Sequence, residues 1–268
     1  MNNLSMVKNK KLEIFYDRVY KKGEKKHFTS FIAQGKNTSE VDEILKEISW
    51  KNKKVLDVGC GTGLFAYSVA KAGAKHVLGI DFSLEAINLA KENHKHKNLN
   101  FEHKDAKNIS EKFDVIVSVG TLEHMDDPLL TLKMLKRHLN PKGKIIITSP
   151  NWTNPRGYIL MTLWYLFKAP ITLADLHYQT PIDFENYSKK LKMNLKWRTI
   201  DRSWAHGEIL ISDFQRRLPN VLRDAKLPKN SKNIENFIEW IEKNILSFDN
   251  SLHHSGATGL YVFSLKNK

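Results

Sequence analysis

One cysteine in 268 residues, Cys60, has no partner within the chain, so an internal disulfide framework and a multi-cysteine zinc site are both excluded. Long apolar runs are missing too. The longest, Tyr158 to Phe167, is ten residues and contains Thr162, about half of a membrane span. The first residues are polar and lysine-rich, unlike a secretory leader. These absences predict a soluble protein of a reducing, cytoplasmic compartment. Acidic residues are few beside the basic ones, 29 against 43, and only eight of the basic residues are arginine. The net charge of +14 therefore rests on scattered lysines. No basic block interleaved with aromatics, no zinc-finger spacing and no RNA-binding signature accompanies that charge. It reads as a solvated lysine surface in a lysine- and asparagine-rich composition, ahead of nucleic acid or an anionic membrane. With 41% hydrophobic residues the chain can bury a full core, and one domain with additions is expected.

The stretch "KVLDVGCGTG", Lys54 to Gly63, runs a short apolar strand into glycines at 59, 61 and 63. Glycines permit backbone angles closed to side chains and let a ligand approach the main chain. "LFAYSVAKAG" then has helical spacing and a closing glycine. A strand, a glycine turn and a helix start hold a nucleotide-like ligand. Further strands are predicted at 76–81, 99–105, 113–120, 143–150, 195–203 and 259–266. Helices are predicted at 38–49, 83–93, 128–139 and 184–193, with a helical region at 12–34. Such alternation implies an α/β fold, a parallel sheet covered on both faces. Between the last two strands lie helical patterns at about 207–217 and 233–248, a helical insertion. The expected division is a cap over 1–50, a ligand-binding domain over 51–204 with 258–268, and a lid over 205–257.

Three carboxylates end adjacent strands. Asp81 suits the two hydroxyls of a ribose, Asp105 an amino group such as that of adenine, and Asp57 a cationic amine. Each one alone can equally be a capping or solvated carboxylate.

Taken in order, "VLDVGCGTG", "GIDFS", "HKDA" and "FDVIVSVGTLEHMDDP" resemble the class I S-adenosylmethionine-dependent methyltransferases, over roughly residues 40 to 200. The glycine spacing is Gly-x-Gly-x-Gly, not the dinucleotide-binding Gly-x-Gly-x-x-Gly. The resemblance implies a Rossmann-like seven-stranded sheet whose last strand is antiparallel and lies between the fifth and sixth. It implies S-adenosylmethionine as cofactor, with Gly59 and Gly61 against its methionine part and Asp81 on the ribose. Phe82 would pack on adenine, Asp105 and Ala106 would meet the adenine edge, and the Val119 backbone would touch the cofactor. Tyr16, one turn from Tyr20, is expected to close over the sulfonium, or else to belong to a helix packing stripe.

Beyond the fourth strand, "TLEHMDDP", "SPNWTNP" and "DLHYQTPIDFENY" resemble the ubiquinone-pathway O-methyltransferases and their relatives, which act on small molecules and lipids. That resemblance implies a methyl acceptor of this kind. Glu123 and His124, a few residues past the fourth strand, are read as catalytic, or else as residues that begin and shape a helix. The family's metal-associated Glu-x-x-Glu-His pattern has Gly120 at its first position, so Glu123, His124 and His177 fall a ligand short and no metal is expected. Residues 154–170 are read as a helix over the core or the acceptor pocket, or as one dipping into a bilayer. Hydroxyl and amine acceptors stay open. So do a tRNA or protein methyltransferase and a non-catalytic cofactor-binding regulator.

Overall fold

A computed structural model describes residues 14–21, 40–172, 175–201, 207–244 and 255–266. Seven strands form one sheet: β1 (Lys54–Val58), β2 (His76–Asp81), β3 (Leu99–His103), β4 (Phe113–Val119), β5 (Leu139–Pro150), β6 (Met193–Ile200) and β7 (Thr258–Leu265). Their order is β3-β2-β1-β4-β5-β7-β6. The first five run parallel, and β7 pairs antiparallel with both β5 and β6. The expected seven-stranded α/β sheet with an inserted antiparallel last strand is what forms.

The sheet buries both faces because its strands alternate toward two cores. Val55 and Val77 face one, with α2 (Glu40–Leu45), α3 (Leu64–Lys71) and α4 (Leu84–Asn93) over them. Leu56, Val58 and Ile80 face the other, beneath α5 (Pro128–Arg137) and α7 (Pro181–Leu191). A helix at 14–21, α1, precedes them. The strands read as near-continuous apolar runs, as expected for a sheet covered on both sides.

Element boundaries differ from the sequence reading where local chemistry intervenes. The predicted helix over 38–49 is helical only at Glu40–Leu45 among the described residues, and positions 38 and 39 lie outside them. The third strand ends at His103 because the Asp105 side chain accepts from the Lys107 amide and caps a 3-10 turn, Ala106–Asn108. Helix α7 begins at Pro181, three residues early, because Thr180 and Asp183 form a capping box behind that proline. The part of the 12–34 region beyond residue 21 lies outside the described residues.

The insertion contributes α8 (Gly207–Asp224) and α9 (Ser231–Asn244). Their apolar faces meet α6 (Pro155–Phe167) in a third core built from Leu160, Leu210, Phe214, Leu218 and Ile241. The apolar stretch at 158–167 is therefore a helix that carries the insertion on one side. On its other side Tyr158, Tyr165 and Phe167 are exposed.

The joint between α7 and the inserted strand is an aromatic stack. Phe184 and Tyr261 are fully buried, with ring centroids 3.6 Å apart and planes 10° apart. Phe184→Ala should cost about 3–5 kcal/mol in urea unfolding. A loss below about 1 kcal/mol would show that the second core does not depend on this stack.

Candidate active site

The parallel strands all end on one side, and their ends open into a cavity of about 1180 Å³. That exceeds the usual volume of a single-ligand pocket. Every residue singled out from the sequence, Tyr16, Asp57, Gly59, Gly61, Asp81, Phe82, Asp105, Ala106, Val119, Glu123 and His124, lines it.

The glycine turn is built by cross-ties to β2. The Gly59 and Cys60 amides donate to the Ile80 carbonyl, at 2.9 and 3.0 Å. The Gly61 amide donates to Asp81 Oδ2 at 2.9 Å, and the Ser83 amide to Oδ1 at 2.8 Å. Gly59 and Gly61 both have positive φ, 72° and 51°, where side chains are strained. They serve different ends. A Cβ on Gly59 would lie 2.5 Å from Thr121 Cγ2, so Gly59 is required by packing. A Cβ on Gly61 would meet only the Tyr20 hydroxyl, at 3.1 Å, so Gly61 presents bare backbone to the cavity.

Asp57 is 1% exposed, and neither carboxylate oxygen accepts a well-formed hydrogen bond among the described residues. Burial pushes its pKa up to about 8, the Asp81 charge adds to this, and the nearby Ala66 amide only partly opposes it. Burial also raises Asp81, against the Ser83 and Gly61 amides that favour its charge. Asp105 caps its turn and pairs with Lys107 Nζ at 3.0 Å while lining the cavity.

Tyr16 stands edge-on to Phe82, with ring centroids 6.0 Å apart, and its hydroxyl lies 3.0 Å from His124 Nε2. His124 Nδ1 is 3.4 Å from Asp175 Oδ1. Burial, with Asp175 and Glu123 nearby, holds the Tyr16 hydroxyl well above its usual pKa. Glu123 is 3% exposed, and burial with the Asp175 charge drives it well above the carboxylate range. Its backbone carbonyl accepts from the Leu176 and His177 amides, fastening that loop to the end of β4. His177 does not join the group, because its Nε2 lies against the Met125 and Asp126 carbonyls, at 2.9 and 3.2 Å. Among the described residues no three His, Cys, Asp or Glu side chains converge as metal ligands do.

Sequence reasoning missed Asp175, Glu40, Arg156, Arg216 and Arg217 as lining residues. Asp175 was visible only as the first residue of the "DLHYQTP" stretch, and nothing in its spacing announces a histidine partner.

Residues 49–244 match the methyltransferase domain family. A ubiquinone biosynthesis O-methyltransferase of Actinobacillus pleuropneumoniae is 32% identical over 155 residues, 54% of this chain and 63% of that protein. The chain spans between about half and two thirds of the length of such curated relatives. Among solved structures, the methyltransferase-fold chain that accompanies the Trm112 methyltransferase activator of Haloferax volcanii aligns with a TM-score of 0.63 at 14% identity, covering 94% of this chain and 98% of that one. An S-adenosylmethionine dependent methyltransferase from Mesorhizobium loti aligns with a TM-score of 0.51 at 15% identity, covering 84% and 95%. The fold is that of the class I S-adenosylmethionine-dependent methyltransferases. The chain belongs to the methyltransferase domain family.

Asp57 also makes a stability prediction. Its folded pKa of about 8 is raised above the unfolded value, so the folded state keeps a proton that the unfolded state has lost. Stability from this group is therefore retained at low pH and falls as pH rises from about 4 to about 8. Asp57→Asn, which cannot ionise, should melt higher than the parent protein at pH 8–9, with the gap closing toward pH 4. Melting curves that run parallel across this range would contradict the buried, unpaired carboxylate.

Proposed function

We propose that the chain is an S-adenosylmethionine-dependent methyltransferase that methylates a hydroxyl of a small or lipid-like molecule. The single observation that carries the reading is Asp57: a buried carboxylate left uncompensated among the described residues, beside bare glycine backbone, in the cavity at the strand ends. An uncompensated buried carboxylate suits a cationic amine, which an amino-acid cofactor provides and a nicotinamide dinucleotide does not present there. Asp81 spends one lone pair of each oxygen on the turn and keeps others for ribose hydroxyls. Phe82 and Tyr16 offer aromatic surface beside it, and the Asp105–Ala106 edge offers a polar end.

Bound S-adenosylmethionine supplies an electrophilic methyl group on a sulfonium that departs as a neutral thioether. The chain's own task is to align the acceptor and take its proton. Asp175 favours the His124 tautomer with its proton on Nδ1, which leaves the Nε2 lone pair facing the Tyr16 hydroxyl. An acceptor hydroxyl against Tyr16 gives its proton to the Tyr16 oxygen as Tyr16 passes its own to His124. The raised pKa of Tyr16 fits a relay that never rests as tyrosinate. Glu123 positions the 176–177 loop and lies within reach of the Asp175 charge. The O-methyltransferase relatives support oxygen over nitrogen as the acceptor atom. Helix α1 and the insertion serve as a cap and lid, since residues of both line the cavity. The exposed Tyr158, Tyr165 and Phe167 support a peripheral bilayer contact as the route to an apolar acceptor. Failure of the protein to co-sediment with anionic vesicles would remove that contact.

Calorimetry should detect binding of S-adenosylmethionine and none of NAD, with Asp57→Asn and Asp81→Ala each weakening affinity more than about tenfold. Tight NAD binding, or unaffected variants, would overturn the assignment. In assays of labelled methyl transfer into cell extract, His124→Ala should lower turnover by about a hundredfold or more with cofactor affinity nearly unchanged. Tyr16→Phe keeps the ring and removes the relay, so it should lower turnover comparably. Normal turnover in Tyr16→Phe would mean that His124 takes the proton directly, and normal turnover in both would make His124 structural.

A further inference from the structure

The wall of the cavity away from the glycine turn is cationic. Arg156 from α6 and Arg216 and Arg217 from α8 all line it. They converge on one carboxylate, Asp213, which is 1% exposed. Arg156 Nε donates to Asp213 Oδ2 at 2.9 Å, Arg216 Nη2 donates to Oδ1 at 2.9 Å, and Arg217 Nε donates to Oδ2 at 3.1 Å. Burial alone would raise Asp213, but Arg156 and Arg217 overcome that and hold it at about 2, so it stays ionised. Asp213 thus accepts from all three guanidiniums, and the Asp175 carboxylate acts on Arg156 and Arg217 from farther off.

A staple between α6 and the insertion needs one arginine, not three. Arg217 has a further structural use, since its Nη1 donates to the Ile171 carbonyl at 2.7 Å. Arg156 has none. Only its Nε is hydrogen-bonded, and its Nη donors meet no acceptor among the described residues, although its side chain is only 12% exposed. Burial and the neighbouring Arg217 charge disfavour its cation, and Asp213 and Asp175 offset them only in part. A buried guanidinium short of negative charge, in a cavity wall, is a site for a planar or tetrahedral oxyanion. Glu123, Glu40 and Asp175 also line the cavity, and burial raises the pKa of each. Asp175 lies within the influence of both His124 and these arginines, which ties the cationic wall to the proton-accepting end.

We propose that the methyl acceptor carries an anionic group, a carboxylate or a phosphate, anchored by Arg156 with Arg216 and Arg217 while its hydroxyl faces Tyr16 and His124. This specificity rests on the methyltransferase reading above. Benzoate, phenyl phosphate and neutral benzamide are titrated into the full chain saturated with S-adenosylhomocysteine, whose own binding is measured first. At least one anion should bind about tenfold or more tighter than benzamide, and the better of the two identifies the headgroup. Arg156→Gln should abolish the preference. Arg216→Ala, a half-exposed position where folding is not at stake, should reduce it with S-adenosylhomocysteine affinity unchanged. Equal binding of benzamide and both anions, or a preference that survives both substitutions, overturns the anchor. If S-adenosylhomocysteine itself does not bind, the methyltransferase reading falls, and the anion preference is then read on unliganded protein against the same two variants.

Discussion

The site depends on one constraint: a carboxylate held out of water at the end of β1, with only the nearby Ala66 amide to favour its charge among the described residues. Asp57 sits on the same face of the strand as Val55, under α3, 1% exposed at the edge of the cavity. A charge there is costly unless something cationic enters. The glycine turn keeps that position accessible. Gly61 leaves the cavity side open, while the bonds from Gly59 and Cys60 to Ile80, and from Gly61 to Asp81, stop the turn from collapsing into it. Asp81 thus holds the frame and offers a binding surface at once.

Around this frame the cavity is divided electrostatically. Its floor is acidic, with Asp57, Asp81, Glu123 and Asp175, and burial biases these groups toward neutrality. Its far wall is basic and comes from α6 and the insertion. The third core joins these helices to one another rather than to the sheet. The glycine-turn frame and the cationic wall are therefore separate packing units that meet across the cavity.

Most of the frame was legible in the sequence because it is local. A strand running into glycines, acids at strand ends and the period-two and period-3.6 patterns are each written within about ten residues. The strand ends then gather on one side by the geometry of a parallel sheet. What was not legible depends on pairs distant in sequence. His124 meets Tyr16 and Asp175, and Arg156 meets Asp213, through contacts no local pattern encodes. Gly59 was read as making way for a ligand, yet its nearest constraint is Thr121, 62 residues on. His177 was read as a conceivable third ligand beside Glu123 and His124, but backbone carbonyls hold its ring elsewhere.

The proton that Asp57 carries in the unliganded protein tests this account most directly. With a pKa of about 8, Asp57 is largely protonated at pH 7, and an ammonium brought against it should expel that proton. Calorimetry of S-adenosylmethionine binding at pH 7, in buffers that differ in ionisation enthalpy, should therefore report release of about one proton, falling toward none by pH 9. Asp57→Asn should abolish the release. Binding without proton exchange at pH 7, or identical exchange in the variant, would contradict a buried, unpaired Asp57 as the cofactor's anchor.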